Sequence, residues 1–156
     1  MPSAFELALL GWTTDLRVWL LEHVADEDLA FELPGNRPLG DLIVELGDTE
    51  RAYAESFPSR RLAWPTPTSG AELARSTTRL RTWFETLDAE LRAAVTAVPD
   101  DEFHDGTVDR GDGFQMPMAS QFHTDREAIL IACAKIDVYL RAMGKGRGHQ
   151  WVDWLG

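Results

Sequence analysis

The sequence has a single cysteine and no long apolar run, and both shortages narrow what the protein can be. Cys133 has no second cysteine within the 156 residues with which to form a disulfide. No window reaches the roughly eighteen uninterrupted apolar residues that a membrane-spanning helix needs. The first residues also lack a basic leader followed by a small-residue cleavage site. We therefore expect a cytoplasmic protein without a membrane partner.

Positive charge is scarce as well. The chain has 15 lysines and arginines against 26 aspartates and glutamates, which gives a formal net charge of -11 at pH 7. Because nucleic-acid binding relies on clustered basic side chains, we expect no nucleic-acid partner. The sequence also lacks the G-x-S-x-G motif, the phosphate-binding loop and the dinucleotide fingerprint, and its acidic loop after residue 99 does not have EF-hand spacing.

Apolar residues make up 44% of the chain, which is enough for one folded domain over residues 1–156. They recur every three or four residues in four long stretches, so the sequence predicts an all-α bundle of four helices. Prolines and turn residues predict a long linker between the second and third helices. The loop before the fourth helix has two Asp-Gly pairs, which favour a small hairpin. The predicted helices run from Ser3 to Ala25, Leu39 to Phe57, Ser69 to Val98 and Pro117 to Gly144.

The fourth predicted helix is apolar on all sides in its middle, so it needs neighbours on several sides. Near its start, His123 and Glu127 lie one helical turn apart on the same face. We expect any functional site to include this pair. The tail beyond this helix is expected to dock Trp151 and Trp154 on the bundle.

The apolar spacing also predicts which side of each helix faces the core. In the second helix, Glu50 falls at a core position. Because burial of an unpaired carboxylate costs several kcal/mol, we expect Glu50 to pair with Arg126 or Lys135. The inward face of the first helix is predicted to consist of Phe5, Leu9, Trp12, Leu16, Trp19 and Leu20.

Three parts of the sequence resemble the DinB/YfiT-like superfamily of four-helix bundles. They are the segment LGDLIVELGDTERAY, the tryptophan-bearing first helix, and REAILIACAKIDVYLRAMG with its aromatic tail. The resemblance covers nearly the whole chain and implies a DinB/YfiT-like four-helix bundle. It also implies a divalent ion, such as nickel or zinc, held by one histidine of the second helix and an HxxxH pair of the last. Some members are thiol-dependent S-transferases or hydrolases, and members commonly form homodimers.

Carried over to this sequence, the resemblance places Glu45 at the helix-two histidine and His123 and Glu127 at the HxxxH pair. Two carboxylates and one imidazole would suit iron or manganese better than nickel or zinc. A metal there would activate a water or a thiol, with Glu50 or Asp48 as the general base. In the other interpretation no metal binds, and the same acidic and histidine side chains form a structural cluster.

Two classes of function follow. The first is a divalent-metal-dependent hydrolase or thiol S-transferase that acts on a small molecule. The second is a non-catalytic bundle that binds a small ligand or dimerises through its helices. Six tryptophans in a chain of this length favour aromatic surface that a second copy would cover, so we expect a homodimer.

Overall fold

A computed structural model describes residues 2–64, 66–68, 72–146, 149 and 152–153. This part of the chain is mostly helical, with two short 3₁₀ turns and one two-stranded antiparallel sheet in addition to five α-helices. None of these helices combines the length and apolar character that crossing a membrane requires. The helices are α1 (Ala4–Glu22), α2 (Leu39–Ser59), α3 (Thr77–Thr96), α4 (Asp100–Asp105) and α5 (Met118–Ala142), and the strands are β1 (Thr107–Asp109) and β2 (Gln115–Pro117).

The start of α1 is confirmed, whereas the predicted start of the third helix is not. Ser3 Oγ accepts a hydrogen bond from the Glu6 amide, and the Glu6 carboxylate accepts one from the Ser3 amide at 2.7 Å. The third helix was expected to begin at Ser69, which lies outside the described residues. It begins instead after Ser76, whose backbone is extended and whose Oγ caps the Arg79 amide.

The segment before α5 is more ordered than its turn residues indicated. It contains the short helix α4 and the β1–β2 hairpin, which confirms the expected hairpin. Asp112 and Gly113 at the tip have φ angles of 49° and 78°, the conformation for which Asp-Gly is preferred. The linker after α2 runs beside β1, because the Leu62 amide donates to the Asp109 carbonyl at 2.8 Å.

Helices α1 and α5 are neighbours that run in the same direction. Glu6 near the start of α1 lies beside His123 near the start of α5. Beyond the other end of both helices, Asp28 pairs with Lys145.

Helix α2 runs against α5. Gln121 Nε2 near the start of α5 donates to Ser56 Oγ near the end of α2, and the Tyr139 hydroxyl near the end of α5 donates to the Arg37 carbonyl just before α2. Helix α3 runs against α1 and packs between α1 and α2. Consecutive helices α2 and α3 are therefore parallel, which is why a long linker must join them.

The core confirms the predicted apolar faces of α3 and α5 but not that of α1. Phe5 and Trp12 of α1 are 65% and 50% exposed, while Thr13 and Arg17 are fully buried. The predicted inward face of α1 was therefore wrong at Phe5 and Trp12, whereas Leu16 and Leu20 are buried and Trp19 packs against the core as expected. The buried stripes consist of Leu80, Phe84, Leu87, Leu91 and Val95 of α3 and Phe122, Ile129, Cys133, Ile136 and Leu140 of α5.

Two further expectations concern the end of the chain. Ile131 in the middle of α5 is 58% exposed, so α5 is not covered on all sides as its composition suggested. Trp151 and Trp154 lie outside the described residues, and their docking stays a prediction.

Candidate functional site

Four helices each place one charged side chain at the centre of the bundle, and we call these four residues the charged layer. They are Arg17 of α1, Glu50 of α2, Asp88 of α3 and Asp125 of α5. Arg17 Nη1 donates to Glu50 Oε1 at 2.5 Å, and Nη2 donates to Asp88 Oδ2 at 2.6 Å. The guanidinium carbon also lies 4.2 Å from the centre of the Phe84 ring, a favourable cation–π contact. Arg17 therefore binds two of the three carboxyl groups in the layer.

Asp125 receives none of these hydrogen bonds. It is fully buried, and neither of its carboxylate oxygens has a partner among the described residues. Burial, reinforced by the Glu50 charge, raises the pKa of Asp125 well above its ordinary value, and burial raises the pKa of Glu50 to about 7 even though Arg17 lowers it. Both shifts favour the protonated form of a carboxyl group in the layer.

Glu50 is the predicted site residue that the structure places in the core, as expected. Its partner was predicted wrongly, because Arg17 of α1 binds it rather than Arg126 or Lys135 of α5. Lys135 is exposed and lines a small cleft beside Tyr139. The cation that pairs with Glu50 comes from α1, which lies diagonally across the bundle from α2, and not from the neighbouring helix α5.

The three predicted metal ligands are not brought together. Glu45 is half exposed and pairs with Arg37 at 2.7 Å. His123 is partly exposed, with its Nε2 at 3.8 Å from Glu6 Oε1, and Glu127 faces solvent. Asp125, which lies between His123 and Glu127 in sequence, is on the opposite, buried side of α5.

The distance along the bundle explains the separation. Ser56 is the α2 residue that contacts the start of α5, and Glu45 lies about 16 Å before it along the helix axis. No group of three His, Cys, Asp or Glu side chains within the described ranges could hold a metal ion. Glu45, His123 and Glu127 therefore do not fit a metal, and the divalent ion stays a prediction without structural support.

The second catalytic candidate, Asp48, has a structural contact. Its Oδ2 accepts a hydrogen bond from the Thr68 amide at 2.8 Å, its Oδ1 accepts one from the Thr68 hydroxyl at 2.5 Å, and Arg51 pairs with the same carboxylate. These bonds fasten the linker to α2. Glu50 is bound to Arg17 in the core and Asp48 to Thr68 and Arg51, so each carboxylate has a structural partner, and their role as general base stays a prediction.

An open cleft lies between α2 and the linker, and we call it the α2 cleft. Its volume of about 840 Å³ is within the range of pockets that hold small organic ligands. Trp64 on its rim is 63% exposed and meets the ring of Tyr53 edge-on, with 6.2 Å between the ring centres. The other lining side chains include Arg37, Asp41, Val44, Glu45, Asp48 and Thr49.

The sequence does indicate the charged layer, because some of its charged residues occupy positions that the apolar spacing assigns to the core. Asp125 lies three residues after Phe122 and four before Ile129, so it falls within the buried stripe of α5. Arg17 falls in the same way between Leu10 and Leu21 of α1. A charged residue inside an apolar stripe on each of these helices, as at Glu50 of α2, indicates buried charges that need partners on other helices.

Comparison with known proteins adds no relative to these observations. No protein-family model matches the chain, and no curated protein gives a significant match. The resemblance to DinB-like bundles therefore stays a prediction.

Proposed function

We propose that the protein is a DinB-like four-helix bundle that binds a small organic molecule in the α2 cleft, as a binding protein rather than an enzyme. The observation that carries this proposal is the cleft itself, which has an exposed indole at its rim and polar side chains along α2. Such a combination of an apolar face with a few polar groups is typical of ligand pockets. The DinB-like assignment is supported by the arrangement of the four long helices. Helix α1 is parallel to α5, and α2 is parallel to α3, to which a long linker joins it.

The wall of the α2 cleft is held in place before any ligand arrives. The Asp48–Thr68 hydrogen bonds join the linker to α2, and the Arg37–Glu45 ion pair spans the other part of the lining. A pocket that is ordered in the free protein binds with a smaller loss of conformational entropy. This arrangement favours a ligand whose flat apolar part lies on Trp64 while its polar part meets the α2 side chains.

A cleft-filling variant tests the proposal. Thr49 lines the cleft and its hydroxyl donates to the Glu45 carbonyl one turn earlier, so Thr49→Trp should occupy the cleft without breaking a long-range contact. We expect ligands found by saturation-transfer NMR on the unmodified protein to lose binding to Thr49→Trp by about tenfold or more, because the indole takes their space.

Thr86→Trp is the matched control. Thr86 is an exposed threonine of α3 whose hydroxyl also donates to a carbonyl one turn earlier. This variant should bind as the unmodified protein does, and both variants should keep their helical circular dichroism. Equal binding to all three proteins would place the ligand elsewhere and remove the proposal.

We further propose a homodimer formed through the outward faces of α1 and α5. Each of these adjacent, parallel helices exposes two large apolar side chains seven residues apart, Phe5 and Trp12 on α1 and Ile131 and Val138 on α5. Residues seven apart lie on one helix face. The same face on a second copy would cover them around a two-fold axis.

Light scattering coupled to size exclusion tests the dimer. At micromolar concentration the mass should be twice the 17.5 kDa of one chain, and Trp12→Glu should halve it by placing a charge in the apolar contact. Phe114→Glu, at an exposed phenylalanine of the hairpin, is the control that should stay dimeric. A monomeric mass for the unmodified chain contradicts the dimer.

A further inference from the structure

Several buried carboxyl oxygens of the charged layer lack a donor among the residues that the structure describes, although the Arg17 Nε is itself buried there without an acceptor. Arg17 donates one hydrogen bond to Glu50 and one to Asp88. Both oxygens of Asp125 and the second oxygen of Glu50 are buried without a donor in the described part of the chain. A buried ionised carboxylate that lacks donors costs several kcal/mol. A protonated carboxyl instead becomes a donor and can satisfy a neighbouring acceptor.

The charges around Asp125 do not remove this shortage. Arg17 faces it from α1, Glu50 from α2, Asp88 from α3, and Arg126 is its neighbour on α5. Asp88 is partly exposed, unlike Glu50 and Asp125, and it accepts the 2.6 Å hydrogen bond from Arg17. Glu50 and Asp125 are then two buried carboxyl groups that share one layer, and like charges in such a pair are not both stable.

We propose that the charged layer is a proton-binding site, in which the folded protein holds at neutral pH one proton on either Asp125 or Glu50 and releases it when α5 separates from the other helices. The proton turns one of these acceptors into a donor, so it reduces the number of buried oxygens that lack a donor. It also reduces the negative charge buried at the centre of the bundle. In the unfolded chain both groups are hydrated and ionised at neutral pH, so the proton leaves.

This site links stability to pH in one direction. The raised pKa values of Asp125 and Glu50 mean that the folded state holds more protons than the unfolded state above the ordinary carboxyl pKa values of 3.8 and 4.5. The stability that the charged layer contributes is therefore fully present below those ordinary pKa values and decreases as pH rises through about 7, the pKa of Glu50, and beyond it for Asp125.

The test is urea unfolding of the full chain between pH 5 and 9. One extra bound proton raises the unfolding equilibrium constant by up to about tenfold for each pH unit, so we expect about that slope near neutral pH. Asp125→Asn should flatten the slope and, at pH 8, lower the unfolding constant below that of the unmodified protein, because asparagine donates permanently. Glu127→Gln, an exposed carboxylate of the same helix, should leave the slope unchanged.

Other results overturn the proposal. An unchanged slope in Asp125→Asn, or a loss of stability at every pH, would mean that Asp125 is ionised and serves as a counter-ion of Arg17. If Asp125→Asn does not fold, the carboxyl ¹³C shift of Asp125 in the unmodified protein decides. A shift at the protonated position at pH 7 supports the site, and a carboxyl that is fully ionised together with Glu50 at pH 7 rejects it.

Discussion

Replacing Arg17 with methionine should destabilise the protein by about 3 to 5 kcal/mol, the cost of breaking a buried ion pair by removing one partner. Arg17 is fully buried and makes the 2.5 Å and 2.6 Å bonds to Glu50 and Asp88. Methionine has a similar length and keeps the contact with Phe84, so the loss measures charge and hydrogen bonding rather than volume. Without the guanidinium, Glu50 must bind a proton to stay in the core.

Urea unfolding at pH 7 gives the free energy, with Arg92→Met as the control at an exposed arginine of α3. The control should change stability by less than about 0.5 kcal/mol. A triple variant, Arg17→Met with Glu50→Leu and Asp125→Leu, should recover most of the loss, because no unpaired charge remains in the fully buried part of the layer. A loss below about 1 kcal/mol in Arg17→Met would show that the layer is hydrated and not a buried ionic contact.

Gly40→Ala is expected to have the second large effect, a destabilisation of about 3 kcal/mol from overpacking. Gly40 is in the first turn of α2, where an added Cβ would lie closer than 3.0 Å to the Ala74 carbonyl oxygen and 3.2 Å from the Leu29 carbonyl oxygen. Both neighbours are backbone atoms, which cannot rotate away as a side chain can. The end of the linker would have to move away from α2 and distort the wall of the α2 cleft.

Gly11→Ala provides the matched control within another helix. A Cβ at Gly11 would meet only the end of the Arg92 side chain, at 3.7 Å, so this variant should be more stable by about 0.5 to 1 kcal/mol through its better helix propensity. Thermal and urea unfolding of both variants compare the two glycines directly. Gly40→Ala with unchanged stability would contradict the close approach of the linker to α2.

Periodic apolar spacing was sufficient to locate the long helices. The stripe on α3 and most of that on α5 are buried as expected, because in these helices the apolar face and the core face coincide. The start of α3 was predicted at Ser69, whereas the helix begins after Ser76, whose side chain provides the cap. Local capping patterns recur by chance, and only tertiary contacts decide between them.

The site was harder to predict because it depends on contacts between distant parts of the chain. Position within the stripe of α2 correctly placed Glu50 in the core, but nothing local to α2 indicates that its partner is on α1. The resemblance to DinB-like proteins groups Glu45 of α2 with His123 and Glu127, which share a face of α5. Glu45 nevertheless lies about two turns or more from the level of His123. Matching single positions to a pattern therefore did not predict their separation along the bundle.

The charged layer has one more consequence, for the axial alignment of the helices. Apolar faces alone tolerate sliding, because one row of leucines packs about as well as the next. A slip of one helical turn, about 5.4 Å, would carry Arg17 away from Glu50 and Asp88 and leave charges among apolar side chains. The layer thus selects one alignment of four helices, and the triple apolar variant, although stable, should lose that selection and show broadened amide NMR signals.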